Sequence, residues 1–144
     1  MKKILLIVLA MAAIFCISIS ASAQTWFTAD RLAIQWDTPT LMTDGTPIPA
    51  VDVIKYNIYI KDATNPLTLP ELIASDLTVL TYTVQFPRQG RFFIGVTARR
   101  YVGGTDYAGE SAGAWSNDPA FTGGNPFGGV YYYLTNPPSG LKKQ

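Results

Sequence analysis

Three consecutive residues, Arg99, Arg100 and Tyr101, carry the groups in this chain best suited to gripping another molecule. A guanidinium presents a planar fork of donors and stacks on aromatic rings, so paired arginines beside a tyrosine suit a contact surface. The competing reading is that they form the solvated base of a loop, since charged residues are mostly exposed in any case. No Arg-Gly-Asp triplet accompanies them. A second candidate set is Tyr131, Tyr132 and Tyr133, an aromatic run between glycines and prolines. Catalytic chemistry finds less to work with. The chain has no histidine, which removes Ser-His-Asp and Cys-His mechanisms and the commonest transition-metal ligand. Asp106 and Glu110 stand in a Gly-rich stretch with no apolar run to raise a carboxyl pKa, so they make a poor acid/base pair. Asp44 beside Gly45 reads as a turn, because Asp52 is the sole further carboxylate in the next dozen positions and calcium needs an oxygen cage. Trp36, Tyr56 and Tyr82 fall in the inward phase of alternating strands, which makes them core rather than a sugar-stacking platform. No catalytic, cofactor-binding or metal-binding residues are assigned, and the chain is read as non-enzymatic.

The context for these residues begins at the N-terminus. Lys2 and Lys3 precede an apolar run over residues 4–19, and Ala21, Ser22 and Ala23 follow. A basic start, an apolar centre and a small-x-small end describe a secretory signal peptide over residues 1–23. The run falls short of the roughly 20 residues a bilayer span requires, so no membrane span is expected to be retained. Cys16 lies within the apolar stretch behind the bulky Phe15, which argues against lipid attachment. Cleavage after Ala23 would leave a chain beginning at Gln24, without cysteine and hence without disulfides, exported to the periplasm or beyond. Losing Lys2 and Lys3 takes the formal charge from +1 to −1. That balance, unclustered along the chain, excludes nucleic acid as an expected partner.

The elements that must position the candidates are strands. Leu32, Ile34 and Trp36 alternate, as do Ile54, Tyr56, Ile58 and Ile60, and a loop rich in Pro and Gly divides the two runs. Residues 24–30 form a first strand or a lead-in against the core, and residues 67–77, interrupted by Pro70, a short strand plus loop. Residues 80–86 alternate with Leu80, Tyr82, Val84 and Phe86 inward. Residues 91–99 alternate with Phe92, Ile94, Val96 and Ala98 inward and Phe93, Gly95 and Thr97 outward. A Gly-rich loop over residues 101–113 then leads to a last strand that starts at Trp115 and ends near Phe121. Short strands with turns every 8–12 residues predict an all-β sandwich of about seven antiparallel strands over residues 24–121.

The order of these features resembles a fibronectin type III domain of the bacterial exported type, within the wider immunoglobulin-like class. The resemblance rests on Trp36 in the second strand, Tyr56 and Ile58 in the third, and Phe92, Ile94, Val96 and Ala98 in the sixth. Asp44, Gly45, Thr46 and Pro47 in one loop, and Glu110, Ser111, Trp115, Ser116 and Asn117 late in the chain, add to it. It spans residues 30–121. The departure is Phe92, where the family usually carries a tyrosine whose hydroxyl bonds back to the backbone. The resemblance implies a binding, adhesion or spacer role through protein–protein contacts, with no shared catalytic residues and no cofactor.

Residues 122–144 form a Gly/Pro/Tyr-rich tail. Gly123, Gly124, Asn125, Pro126, Phe127, Gly128 and Gly129 have a linker's composition, whereas residues 130–134 favour a strand. Two readings stand: an edge strand added to the chain's own sandwich, or an exposed strand that pairs with a partner. A protein partner or self-association is expected ahead of carbohydrate. The alternative function is a carbohydrate-binding accessory module of a secreted polysaccharide-processing system, with its exposed aromatics supplied by Trp115 and residues 131–133.

Overall fold

The computed structural model describes residues 23–132. Residues 1–22 of the expected signal segment, Tyr133 and the rest of the tail lie outside the described residues. Within them the chain is all β, with no helix, in nine strands: β1 (Thr25–Thr28), β2 (Arg31–Gln35), β3 (Val53–Asp62), β4 (Glu71–Leu77), β5 (Thr81–Gln85), β6 (Gly90–Val102), β7 (Asp106–Glu110), β8 (Ala114–Trp115) and β9 (Phe127–Tyr131).

β6 is the spine. Along one side it pairs antiparallel with β3, from Val53 opposite Tyr101 to Asp62 opposite Phe92. Along its other side it pairs in turn with β9 at Gly90 to Phe92, with β8 at Gly95 and Val96, and with β7 from Arg99 to Val102. β4 extends the sheet beyond β3, and β1 extends it beyond β9. β1 runs parallel to β9, so this seven-stranded sheet is mixed rather than antiparallel throughout. β2 and β5 form a separate antiparallel pair. Both sheets feed one apolar cluster: Ile34 from β2, Val84 from β5, Ile58 and Ile60 from β3, and Phe92 and Ile94 from β6, with Phe86 stacked on Phe92 at 5.3 Å. The inward phase of those strands is as the alternation predicts.

Four differences from the sequence reading have physical causes. The supposed Gly-rich loop is largely the hairpin strand β7, reached through Gly103 (φ +59°) and Gly104 (φ +86°); its mostly exposed residues carry no apolar alternation. The strand at Trp115 lasts two residues and turns away, with the Asp118 N–H donating to the Trp115 carbonyl at 3.0 Å. The outward face of β6 is itself covered: Gly95 is buried beneath Trp115 and Thr97 beneath Glu110. Finally, the part of the aromatic run that falls on β9, Val130 and Tyr131, is not at an edge. β9 starts at Phe127 and is held between β1 and β6, so Val130 and Tyr131 have ladder partners within the chain. Two smaller shifts accompany these: Leu80 is 39% exposed, and Trp36 is half-buried, its ring edge-on to Tyr56 at 5.4 Å.

A candidate cation–aromatic contact surface

A strand turns successive side chains to opposite faces, and β6 runs through Arg99, Arg100 and Tyr101. The two arginines therefore part company. Arg100 faces the loop that precedes β3. Its Nε donates to Asp52 Oδ2 at 2.7 Å and its Nη2 lies 2.6 Å from the same oxygen. Its Nη1 reaches Met42 Sδ at 3.0 Å. The Asp52 side chain, 1% exposed, also accepts the Gly103 N–H at 3.1 Å. That bond, followed by the one from Arg100, holds the Asp52 carboxyl below its usual range despite burial. Arg100 thus ties residues 42–52 to the β6–β7 turn, which is a structural duty.

Arg99 faces outward among aromatic rings. Its guanidinium lies 4.8 Å over Tyr107 and 5.7 Å over Tyr101, and Lys55 Nζ sits 4.6 Å over Tyr101 as well. Tyr101 and Tyr107 are opposite one another across the β6–β7 ladder, ring centroids 5.7 Å apart. Asp76 closes the group: it accepts Arg99 Nη1 at 2.9 Å and the Tyr101 hydroxyl at 3.1 Å. Burial and that hydrogen bond raise the Tyr101 phenol above its ordinary value, so it stays a donor. Asp76 has φ +54°, which a non-glycine residue seldom adopts. It sits on β4 where the register against β3 shifts, and its N–H donates to Asn57 Oδ1 at 3.1 Å. The cations Arg99 and Lys55, the neutral rings of Tyr101 and Tyr107, and the carboxylate of Asp76 interleave here, so the patch combines apolar area with opposed charges.

Beside it Glu110 is held rather than free. It accepts hydrogen bonds from Thr97, from the Tyr59 hydroxyl at 3.0 Å and from Asn57 Nδ2 at 3.0 Å, and Arg99 Nε lies 3.8 Å from its second oxygen. Burial raises its carboxyl, but the bonds from Thr97, Tyr59 and Asn57 and the Arg99 charge outweigh this and leave it lowered. A general acid would need the opposite shift. Because the folded form binds the ionised carboxylate better than the unfolded chain does, Glu110 contributes stability above the usual glutamate range. The contribution fades as pH falls through the depressed folded value. Glu110→Gln is therefore expected to lower the melting temperature at pH 7 and to narrow the gap from wild type toward pH 3, as read by calorimetry across that range.

Tyr131 is half-buried and packs against the core cluster, while Tyr132 is 53% exposed; Tyr133 is outside the described residues. The sequence candidates that are described thus do not form one site: Arg99 and Tyr101 belong together, Arg100 is on the far face, and Tyr131 lies on β9. Sequence reading missed Tyr107, Lys55 and Asp76. Tyr107 could have been found from the Gly103-Gly104 turn, which reverses the strand onto itself; Asp76 had no local signal. Among the described residues no three His, Cys, Asp or Glu side chains are grouped to hold a metal ion. Comparison with protein-family models, curated proteins and solved structures finds no match to this chain.

Proposed function

We propose that this chain is an exported, non-catalytic binding module with a fibronectin type III-like β-sandwich, which acts through protein–protein contacts at the Arg99–Tyr101–Tyr107 surface. The observation that carries the reading is the Arg99 guanidinium held over two tyrosine rings while Tyr107 stays 54% exposed. Arginine and tyrosine are enriched at the energetic centres of protein interfaces, tyrosine because it brings large area at low entropy cost and arginine because its planar fork both donates and stacks. Pinning by Asp76 fixes the arginine before any partner arrives, which reduces the ordering cost on association. The sandwich is supported by the shared core of the two sheets, and export by the basic, apolar and small-x-small N-terminal pattern. Periplasm and extracellular space fit equally.

A second reading has its own observation. An open groove of about 380 Å³ is lined by Phe93 and Trp115 with Lys61, Asn117 and Asp118 around them. Aromatic rings edged by polar groups suit a carbohydrate. The immobilised domain, tested against fractionated envelope proteins and a polysaccharide panel, separates the two. The protein reading expects Arg99→Ala and Tyr107→Ala each to weaken capture at least about tenfold, or about 1.4 kcal/mol, with Trp115→Ala neutral. Polysaccharide retention lost on Trp115→Ala and kept by the other two variants would overturn it.

A further inference from the structure

Among the described residues, β2 is a sheet edge that no proline or register shift interrupts, and its one charge, Arg31 at its first residue, is paired with Asp30. Within the β2–β5 pair the Trp36 N–H donates to the Leu80 carbonyl at 3.1 Å and the Phe86 N–H to the Asp30 carbonyl at 3.0 Å. Bonded pairs alternate in an antiparallel ladder, so Leu32 and Ile34 turn their backbone groups toward β5. Arg31, Ala33 and Gln35 turn theirs away, and no described strand pairs with that side. The other edges are protected in recognisable ways. On β5 the outward phase passes from Thr81, Thr83 and Gln85 to Pro87, which has no N–H to offer. β4 is broken by register shifts and carries Glu71 and Asp76, β7 carries Asp106 and Glu110 beside a bulge, and β1 is only four residues long.

We infer that β2 is a self-association edge, which joins β2 of a second copy in an antiparallel, two-fold arrangement. The sequence of the strand is suited to meeting itself. With the axis at Ala33, the residues that face outward, Arg31, Ala33 and Gln35, fall opposite Gln35, Ala33 and Arg31 of the second copy. Each of those pairs exchanges both backbone bonds. No like charges meet, because Arg31 stands against a neutral amide and already has Asp30 at 3.3 Å. On the inner face Leu32 lies against Ile34 of the second copy, an apolar cross-strand contact. At the axis the small exposed Ala33 lets the strands close. Phe121, 61% exposed, lines the cleft beside Ile34, Gln35 and Trp36, and the joined strand would shelter it. Such an interface is isologous and stops at two copies.

Sedimentation of the full chain, recovered from an exporting host and run over a concentration series, tests this. The wild type is expected to be a dimer. Ala33→Lys and Ala33→Glu each place like charges on the axis and are expected to raise the dimer Kd at least about a hundredfold, with far-UV circular dichroism unchanged. An equal mixture of the two variants is expected to restore the dimer, because lysine then faces glutamate, an outcome that unfolded variants cannot give. Thr83→Lys on the guarded edge is expected to leave the dimer intact. A wild type that stays monomeric up to about 0.5 mM, a dimer indifferent to Ala33→Lys, a mixture that stays monomeric, or a dimer broken by Thr83→Lys would each overturn the inference. None of these results bears on whether Arg99 and Tyr107 bind a partner.

Discussion

Phe92→Ala is expected to be among the most damaging substitutions in the domain, at about 3–5 kcal/mol, the usual cost of deleting a large buried aromatic side chain. Phe92 is fully buried and stacks on Phe86 with the rings 13° from parallel. Its ring also lies against the backbone of Gly90, where a Cβ would come within 3.0 Å of Cζ. Both walls are tied down, Phe86 by its N–H to the Asp30 carbonyl and Gly90 by its pairing with Tyr131, so neither can easily collapse into the hole that alanine leaves. Small domains hold about 5–15 kcal/mol in total, so the variant is expected to be marginal at 25 °C. The sequence pattern placed Trp36 in the core as well. Trp36 is half-buried, meets Tyr56 edge-on, and keeps its buried Nε1 unpaired. Trp36→Ala should therefore cost less, since part of its surface is already wet and the deletion also removes an unsatisfied donor. Urea midpoints rank the two: a larger loss for Trp36→Ala than for Phe92→Ala would show that the packing argument is wrong. The buried position of Phe92 also accounts for the missing hydroxyl. A tyrosine there would need room and a partner inside the cluster, which Phe86 and Gly90 fill.

The inner faces of the strands were legible because one period carries them. Ile58 and Ile60, Val84 and Phe86, and Phe92 and Ile94 are each two apart, and each is buried. The outer face of β6 was not legible, because its burial comes from elsewhere in the chain. Nothing around Gly95 or Thr97 announces that Trp115 and Glu110 will lie on them. The candidate site was half legible for a related reason. β6 continues to Val102, but its apolar alternation stops at Ala98, so Arg99, Arg100 and Tyr101 read as a loop base. Once the strand is extended, the period itself puts Arg99 and Tyr101 on one face and Arg100 on the other. The remaining members, Lys55, Asp76 and Tyr107, arrive through three separate strands. The fibronectin type III resemblance, for its part, rested on Trp36, Tyr56 and the 92–98 run; Trp36 falls just past the end of β2, while Tyr56 and the run do lie on β3 and β6. That they do is a property of many β folds, and it leaves the family itself a proposal.

Glycine misled most in the tail, and Gly129→Ala turns that into a measurement whose sign decides between two physical descriptions. In a flexible linker alanine for glycine leaves stability nearly unchanged, and in a strand with open space it removes backbone entropy from the unfolded chain and should stabilise by about 0.4–1 kcal/mol. In β9 the added Cβ would stand 2.0 Å from Phe86 Cζ and 2.6 Å from its Cε2. Phe86 cannot easily yield, because it is 3% exposed and stacked against Phe92. Gly129 has no positive φ, so backbone strain plays no part and the penalty is steric alone. Overpacking of this kind costs about 1–3 kcal/mol, which exceeds the entropic gain and reverses the sign. The clash is closer than at Gly128, where an added Cβ would stand 2.5 Å from Cζ3 of the half-buried Trp26 on the outer face and 3.0 Å from the Phe92 carbonyl oxygen. Gly129→Ala is thus expected to lower the melting temperature by several degrees and Gly128→Ala by less. Trimming the obstacle should release the strain: Phe86→Leu in the Gly129→Ala background is expected to cost less than Phe86→Leu alone, a coupling that a double-mutant cycle reads directly. An unchanged or raised melting temperature for Gly129→Ala, or additivity in that cycle, would return residues 127–131 to a loosely packed tail.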